Sequence, residues 1–539
     1  MRWLKMAMVN RVGGLASGLD IGQIISDLMK AQRLRLDRIK QDREIWQWRQ
    51  EEYRTVNSSL LALRDVVFNL RLQGTFLAKT AVSADASIVT ATAAGSAVPT
   101  VYQVKVKSLA TAATNVSTQS ISASPEEKID PSANLLSQLD KLAGQFERDE
   151  NNNFSFRING VEFTFNAATD SLNTVIAKVN ATKEAGVTMF YDPVADKVAI
   201  ATTYTGDRNP GSAQAGGAEI QIDGAFLTEV LFLNEANEQG GTDAEFSLNG
   251  LELTSHTNSY TVNGVTFRFT GVTPGGLEGT ATAVTVAHDV DAVVKAVKDF
   301  VDKYNEVIGL INAKLNEARY PDYRPLTETE IEKGKLTEKQ IDQWQAKARS
   351  GILKNDPLLR SILDAMRQVL ASVVGGLTDK VTVTVGGQSK TITANSLSVI
   401  GITTGPYTEN GKLYLDENRL REALQSNPEA VMALFTRSKD EDGSDLPPAE
   451  RGIAVRLYEA INNGIQRITA QAGRAGALVD NSYIGRLLRE YDRRLGDYEE
   501  RLARLEDRYW RQFTALETAI NRMNMQSMWL AQHFMPGAR

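Results

Sequence analysis

All but one of the prolines in this chain lie in its middle. None of the 14 prolines in 539 residues precedes Pro99, and none falls between Pro448 and Pro536. A proline inside a helix removes a hydrogen-bond donor and clashes with the preceding turn, so both ends are free to form long helices. Both ends also carry the pattern such helices need. In steps of seven, Ile25, Gln32, Ile39, Trp46, Tyr53, Leu60 and Val67 form one column. Leu28, Arg35, Asp42, Arg49, Val56, Leu63 and Leu70 form its companion. Asp20 is the expected N-cap and Gly74 the expected stop. At the other end, steps of four and three give Ile484, Leu488, Tyr491, Leu495, Tyr498, Leu502, Leu505, Tyr509, Gln512, Leu516, Ala519, Met523, Gln526 and Leu530. The two glutamines fix register at some cost in stability. Trp510, Phe513, Ile520, Trp529 and Phe534 widen this apolar face. Two matched amphipathic helices at opposite ends imply that the termini meet and that the middle is an insertion between them.

The insertion is rich in hairpins. Asn159-Gly160, Asn249-Gly250 and Asn263-Gly264 each separate two runs of alternating apolar residues, such as Phe154/Phe156/Ile158 and Val161/Phe163/Phe165. Asn-Gly suits a two-residue turn because both residues accept positive φ. A short helix face at Leu172, Val175, Ile176 and Val179 follows the first hairpin, then strands at 187–191 and 198–202. Earlier strands are expected at 88–91 and 102–106. From Asp289 the helical period returns through Val293, Val297, Phe300, Val301, Tyr304, Ile308 and Ile311. A helical stretch at 338–372 is broken near Asp356-Pro357, a strand pair turns at Gly386-Gly387, and two helices are capped by Asp416 and Asn427. The predicted fold class is α+β and multidomain: coiled-coil-like terminal helices, a helical leg, and two β-rich head domains inserted between them.

Chemistry is scarce. The sequence has no cysteine and only His256, His288 and His533. Disulfides and thiolate metal sites are therefore excluded, and imidazole chemistry has little to work with. A formal net charge of −6 argues against nucleic acid as the main partner. No apolar run is long enough to span a membrane, and the first residues do not read as a secretory signal peptide. Gly405 and Gly411-Lys412 suggest a phosphate loop, but the spacing is one residue too long and Leu413 stands where Ser or Thr belongs. Ser17 lacks the flanking glycines of a nucleophile elbow. Asp440, Glu441, Asp442 and Asp445 lack the ligand spacing of an EF-hand. No catalytic residue, cofactor or metal is expected.

The string of motifs resembles one family. Gly14-Leu15-Ala16-Ser17-Gly18-Leu19-Asp20, with Ile24-Ile25 and Leu28-Met29, is similar to the opening of the flagellar filament cap, or hook-associated protein 2, family. So are Tyr102-Gln103-Val104-Lys105-Val106, the run from Asp299 to Glu306, Ser350-Gly351-Ile352-Leu353 with Asp356-Pro357-Leu358, and Gly411-Lys412-Leu413-Tyr414-Leu415-Asp416. Residues 154–205 resemble the small repeat inserted in flagellins and cap proteins. Residues 1–10 precede the motif by more than the resemblance implies, leaving Met1, Met6 and Met8 as alternative starts.

The resemblance implies a secreted bacterial protein, exported through the flagellar type III apparatus to the distal filament tip. There it forms a homo-oligomeric ring that helps flagellin fold and insert. Implied partners are further copies of itself, flagellin, hook-filament junction proteins and a cytoplasmic export chaperone. A head-borne adhesin that binds a host or surface receptor, or another hook-associated filament protein, is the alternative. The expected division is 1–75, N-terminal helix of stalk and leg; 76–111 plus 240–288, first head domain; 112–239, second head domain; 289–475, leg; and 476–539, C-terminal stalk helix. The terminal-motif and stalk or oligomer-interface residues are expected to be Gly14, Leu15, Ser17, Gly18, Leu19, Asp20, Ile25, Leu28, Ile39, Trp46, Tyr53, Leu60, Leu495, Tyr498, Leu502, Leu505, Tyr509, Gln512, Leu516, Met523, Gln526 and Leu530. The charged mid-seam positions Arg35, Asp42 and Arg49 are expected to keep the stalk from locking. Replacing all three by leucine should then spare ring formation and impair filament growth.

Overall fold

A computed structural model describes residues 20–209, 218–440, 442–477 and 479–534. The chain divides into two compact units: the segments up to Phe76 and from Val290 onward, and the insertion Leu77–Asp289.

The insertion holds two separate cores. A five-stranded antiparallel sheet runs in the order Lys79–Ser83, Thr282–His288, Thr100–Ser108, Ala244–Leu248, Leu251–Ser255. A three-stranded sheet runs Ser259–Val262, Val265–Phe269, Val89–Ala93. Val104, Phe246, Phe267 and Val284 are buried together in this first core. All three Asn-Gly pairs adopt positive φ at both residues, as expected: 49° and 77°, 51° and 86°, 50° and 77°. The second and third hairpins do not repeat the first. One joins the five-stranded sheet and the other the three-stranded one.

The second core belongs to residues 113–233. The Asn153–Ile158 and Val161–Asn166 hairpin presents Phe154, Phe156, Phe163 and Phe165 on one face, stacked in pairs with centroids 5.6 to 5.8 Å apart. Phe226, from an irregular helical turn at Phe226–Val230, stacks on Phe156 at 5.7 Å. Helix Leu172–Ala181 is held by a Ser171 capping box.

The other unit is mainly helical. The N-terminal helix spans Ile21–Arg71, and the Asp20 carboxylate accepts the Gln23 N–H at 2.9 Å. It stops at Arg71, before Gly74, because Leu72 turns extended. Its C-terminal half buries Tyr53, Val56, Leu60, Leu63, Val67 and Leu70 in one core, chiefly against helices Val290–Asn316 and Ile453–Ala472. Full burial of one such aliphatic side chain contributes about 2 kcal/mol. Ile453–Ala472 was not anticipated. Its apolar residues Ile453, Leu457, Ile461 and Ile468 do recur at helical spacing, and Gly464 lets it approach Ile362 closely, a Cβ there lying 3.0 Å away. The C-terminal helix spans Tyr483–Phe534.

Candidate functional site: the paired terminal helices

The two terminal helices pack against each other within one chain. Ile21, Ile25, Met29 and Leu36 form a small core with Leu502, flanked by Leu495, Tyr498, Leu505, Tyr509, Trp510 and Phe513. The direction is antiparallel, as three ion pairs show. Arg33 meets Glu506 at 3.8 Å, Lys40 meets Glu499 at 3.6 Å, and Arg43 meets Asp492 at 2.6 Å. Rising numbers on one helix match falling numbers on the other. These pairs face solvent, so each contributes at most about 1 kcal/mol and weakens with salt.

The predicted columns hold only in part. Ile25, Tyr53 and Leu60 are buried; Ile39 and Trp46 are half-buried, Trp46 edge-on to Tyr483 at 6.4 Å. Leu28 is 42% exposed, and its neighbour Met29 takes the covered place. On the C-terminal helix, Leu495, Tyr498, Leu502, Leu505 and Tyr509 lie at the contact, whereas Gln512, Leu516, Met523, Gln526 and Leu530 are exposed. Beyond Tyr509 the partly covered apolar side chains are Trp510, Phe513 and Ile520. A column stepping at 3.5 residues drifts by about 20° per heptad around a straight helix of 3.6 residues per turn. Several heptads therefore carry the column off the contact. Gly14, Leu15, Ser17, Gly18 and Leu19 lie outside the described residues.

Two carboxylates, one buried and one half-buried, tie the base of the helix pair to neighbouring elements of the same unit. Asp356 is 2% exposed. It accepts Tyr53 Oη at 2.6 Å and Arg49 Nη2 at 2.9 Å, and caps Pro357–Ala371 by accepting the Leu358 and Leu359 N–H groups at 3.0 and 3.1 Å. Burial, and then the Asp356 carboxylate, push the Tyr53 phenol far above its ordinary range, so it stays a donor. Asp480, just before the C-terminal helix, accepts Gln50 Nε2 at 2.7 Å, Arg54 Nη2 at 2.8 Å and the Ser482 N–H at 2.9 Å. Burial alone would raise its carboxyl; the bonds from Ser482, Arg54 and Gln50 outweigh that and hold it below the ordinary value. Gly473 and Gly485 admit this carboxylate, since a Cβ on either would lie 2.4 to 2.5 Å from it.

A third face of the N-terminal helix carries buried Gln41, Trp48 and Glu52. Gln41 donates to the Pro325 carbonyl at 2.9 Å, and Glu52 pairs with Lys314 at 2.6 Å and Arg349 at 2.9 Å. Asp42 accepts Arg324 at 2.7 Å. Two of the three mid-seam charges are thus tied to partners in the same chain, while Arg35 alone is exposed. Arg49→Leu would strand the buried Asp356, so the triple leucine variant would report on folding as well as on locking.

Among the described residues, no group of three His, Asp or Glu side chains is placed to hold a metal ion. Among them no helix is long and apolar enough to cross a membrane. Comparison with known proteins gives the chain a family. The family description "Flagellar hook-associated protein 2 C-terminus" matches residues 241–525, and its N-terminal counterpart matches residues 17–113. A flagellar hook-associated protein 2 of Halalkalibacterium halodurans is 33% identical over 97% of this chain and 99% of its own. This chain belongs to the flagellar hook-associated protein 2 family. A Thermotoga maritima member is 25% identical over 97% of this chain and 95% of its own. The crystal structure of the Escherichia coli flagellar cap protein FliD, domains D1-D2-D3, aligns at 18% identity with a TM-score of 0.49, covering 82% of this chain and 99% of that one. In the terms of this family, the paired helices are the segments that lie at either end of a hook-associated protein 2 chain.

Proposed function

We propose that this chain is a subunit of the cap at the distal end of a bacterial flagellar filament, a structural scaffold that promotes folding and insertion of exported flagellin. The observation that carries the reading is the family match, which runs from one terminal helix through the insertion to the other. Copies form a ring, and the paired terminal helices are its stalk. Beyond Ile520 the C-terminal helix exposes Met523, Met525, Met528, Trp529 and Leu530, an apolar surface of the kind that seats on other helices. The five-segment division into stalk, leg and two head domains, the stalk role of the seam residues, and an export chaperone and hook-filament junction proteins as partners all belong to this reading. So does export to the filament tip. A mismatch between ring and filament leaves a vacancy in which each emerging flagellin folds. The head-borne adhesin is not favoured, because nothing in the family match points to a receptor.

An in-frame deletion in the source bacterium tests this, with flagellin measured on cells and in the medium. Flagellin shifted to the medium as monomer, with hooks retained, is the expected result. Filaments of normal length would overturn the proposal. Restoring the deletion with a chain truncated after Ile520 tests the stalk surface: the truncated chain should be exported and leave flagellin unassembled.

A further inference from the structure

The loop joining strands Ile402–Thr404 and Leu413–Leu415 rims a half-open cavity of about 270 Å³ in the helical unit. Tyr304, from Val290–Asn316, is its deepest side chain and is almost fully buried. Arg367 and Leu370, from Pro357–Ala371, form one wall, and Pro406 and Leu413 another.

The polar groups here are short of partners. Among the described residues no hydrogen bond engages the Tyr304 hydroxyl, and burial pushes this phenol up to about 12, so it remains a donor at neutral pH. Arg367 Nη2 donates to the Asn410 carbonyl and, at 3.4 Å, to Asn312 Oδ1. Its one carboxylate neighbour among the described residues, Asp364, is exposed and 3.7 Å away. Arg367 Nε is buried and bonds to nothing among them. Nε lies under the loop, so the donors left for a ligand are the Tyr304 hydroxyl and the outer guanidinium nitrogens. Gly411, at a φ of +84°, lets the loop pass over the guanidinium, since a Cβ there would lie 2.7 Å from Nε. Lys412, from the run that fails as a phosphate loop, sits over the Tyr414 ring at 5.2 Å. That leaves one guanidinium as the charge lining the cavity, among apolar walls, which suits a single negative charge better than a phosphate.

We propose that this cavity binds a carboxylate carried on a short apolar body, its oxygens accepting from Tyr304 and Arg367 and its apolar part lying against Leu370, Pro406 and Leu413. Tyr407, which lines the cavity and is 98% exposed, offers an aromatic face to whatever projects from it. The carboxylate comes either from a free small acid or from the C-terminal residue of a polypeptide.

Two probes separate these sources: benzoate for the free acid and N-acetyl-phenylalanine for a chain end, each titrated calorimetrically into the full chain beside its neutral amide. At least one carboxylate should bind saturably, with its amide weaker by about tenfold or more and Tyr304→Phe weakening it by about tenfold. Benzoate binding assigns a free acid; binding of N-acetyl-phenylalanine alone assigns a chain end. No saturable binding by either probe, or equal affinity for acid and amide, overturns the proposal. So does an affinity unchanged in Tyr304→Phe, a variant that keeps the buried ring and whose folding is checked by its thermal melt. Arg367→Met, if it folds, should lose binding altogether; retained binding would also overturn it.

Discussion

The N-terminal helix is one element with two unlike halves. From Gln41 to Leu70 it is enclosed by several helices of its unit and by the buried Asp356 and the half-buried Asp480. From Ile21 to Leu36 its core contacts among the described residues are with the C-terminal helix, with solvent-facing ion pairs along the edge. The halves have similar composition, so the difference comes from how many elements surround each. The base is fixed by cooperative burial; the distal half is held by contacts that can be lost locally without unfolding the rest.

The largest expected effect breaks the base. Asp356→Ala leaves Arg49 and Tyr53 without their acceptor and removes a helix cap, and should cost about 3 to 4 kcal/mol in denaturant unfolding of the full chain. A loss below about 1 kcal/mol would show that the base is no more cooperative than the tip. Leu60→Ala, at a fully buried position, should cost about 3 kcal/mol. Its distal counterpart Ile25→Ala should barely move that transition and instead speed amide exchange in the distal half. Asp480→Ala should cost about 2 kcal/mol, less than Asp356→Ala because the site is partly open to solvent. Asp480 and Glu52 both have carboxyls held below their ordinary values in the folded chain. Their stabilisation is therefore fully present above the unfolded-state carboxylate range, near pH 4, and is lost as pH falls through the folded values. Midpoints of urea unfolding measured from pH 6 downward should drop below about pH 4, and the drop should shrink in Asp480→Ala. The smallest effect is Arg43→Glu, expected to cost under about 1 kcal/mol and to vanish in high salt. A salt-independent loss would mean that the distal ion pairs are more than surface contacts.

The sequence discloses features whose cause is local. Asn-Gly turns, the Asp20, Asp416 and Asn427 caps and the apolar period of Val290–Asn316 were all legible because neighbouring residues decide them. What stayed hidden depends on distant partners. Asp356 reads as a cap before Pro357, but its bonds to Tyr53 and Arg49 join residues some 300 positions apart. Strand Thr100–Ser108 pairs with Thr282–His288 and Ala244–Leu248, which no local pattern announces. The seam between the terminal helices was half legible: a seven-residue repeat names the apolar residues but does not show that Met29 displaces Leu28, because the face in use depends on where the partner helix lies. Ile453–Ala472 had a clear period in its own residues and needed no distant information.

The ion pairs along the helix pair carry an ambiguity. Arg33 and Lys40 are seven apart, as are Glu506, Glu499 and Asp492. Sliding one helix by a heptad, about 10.5 Å, would set Arg33 opposite Glu499 and Lys40 opposite Asp492, keeping two of the three pairs. Those two pairs therefore act like a scale with repeated graduations: they align the helices without saying which mark to stop at. The same slide would bring Ala503 and Glu506 to the places of Trp510 and Phe513, break Arg43–Asp492 and part Trp46 from Tyr483, so the choice of graduation rests on the aromatic contacts and that one pair.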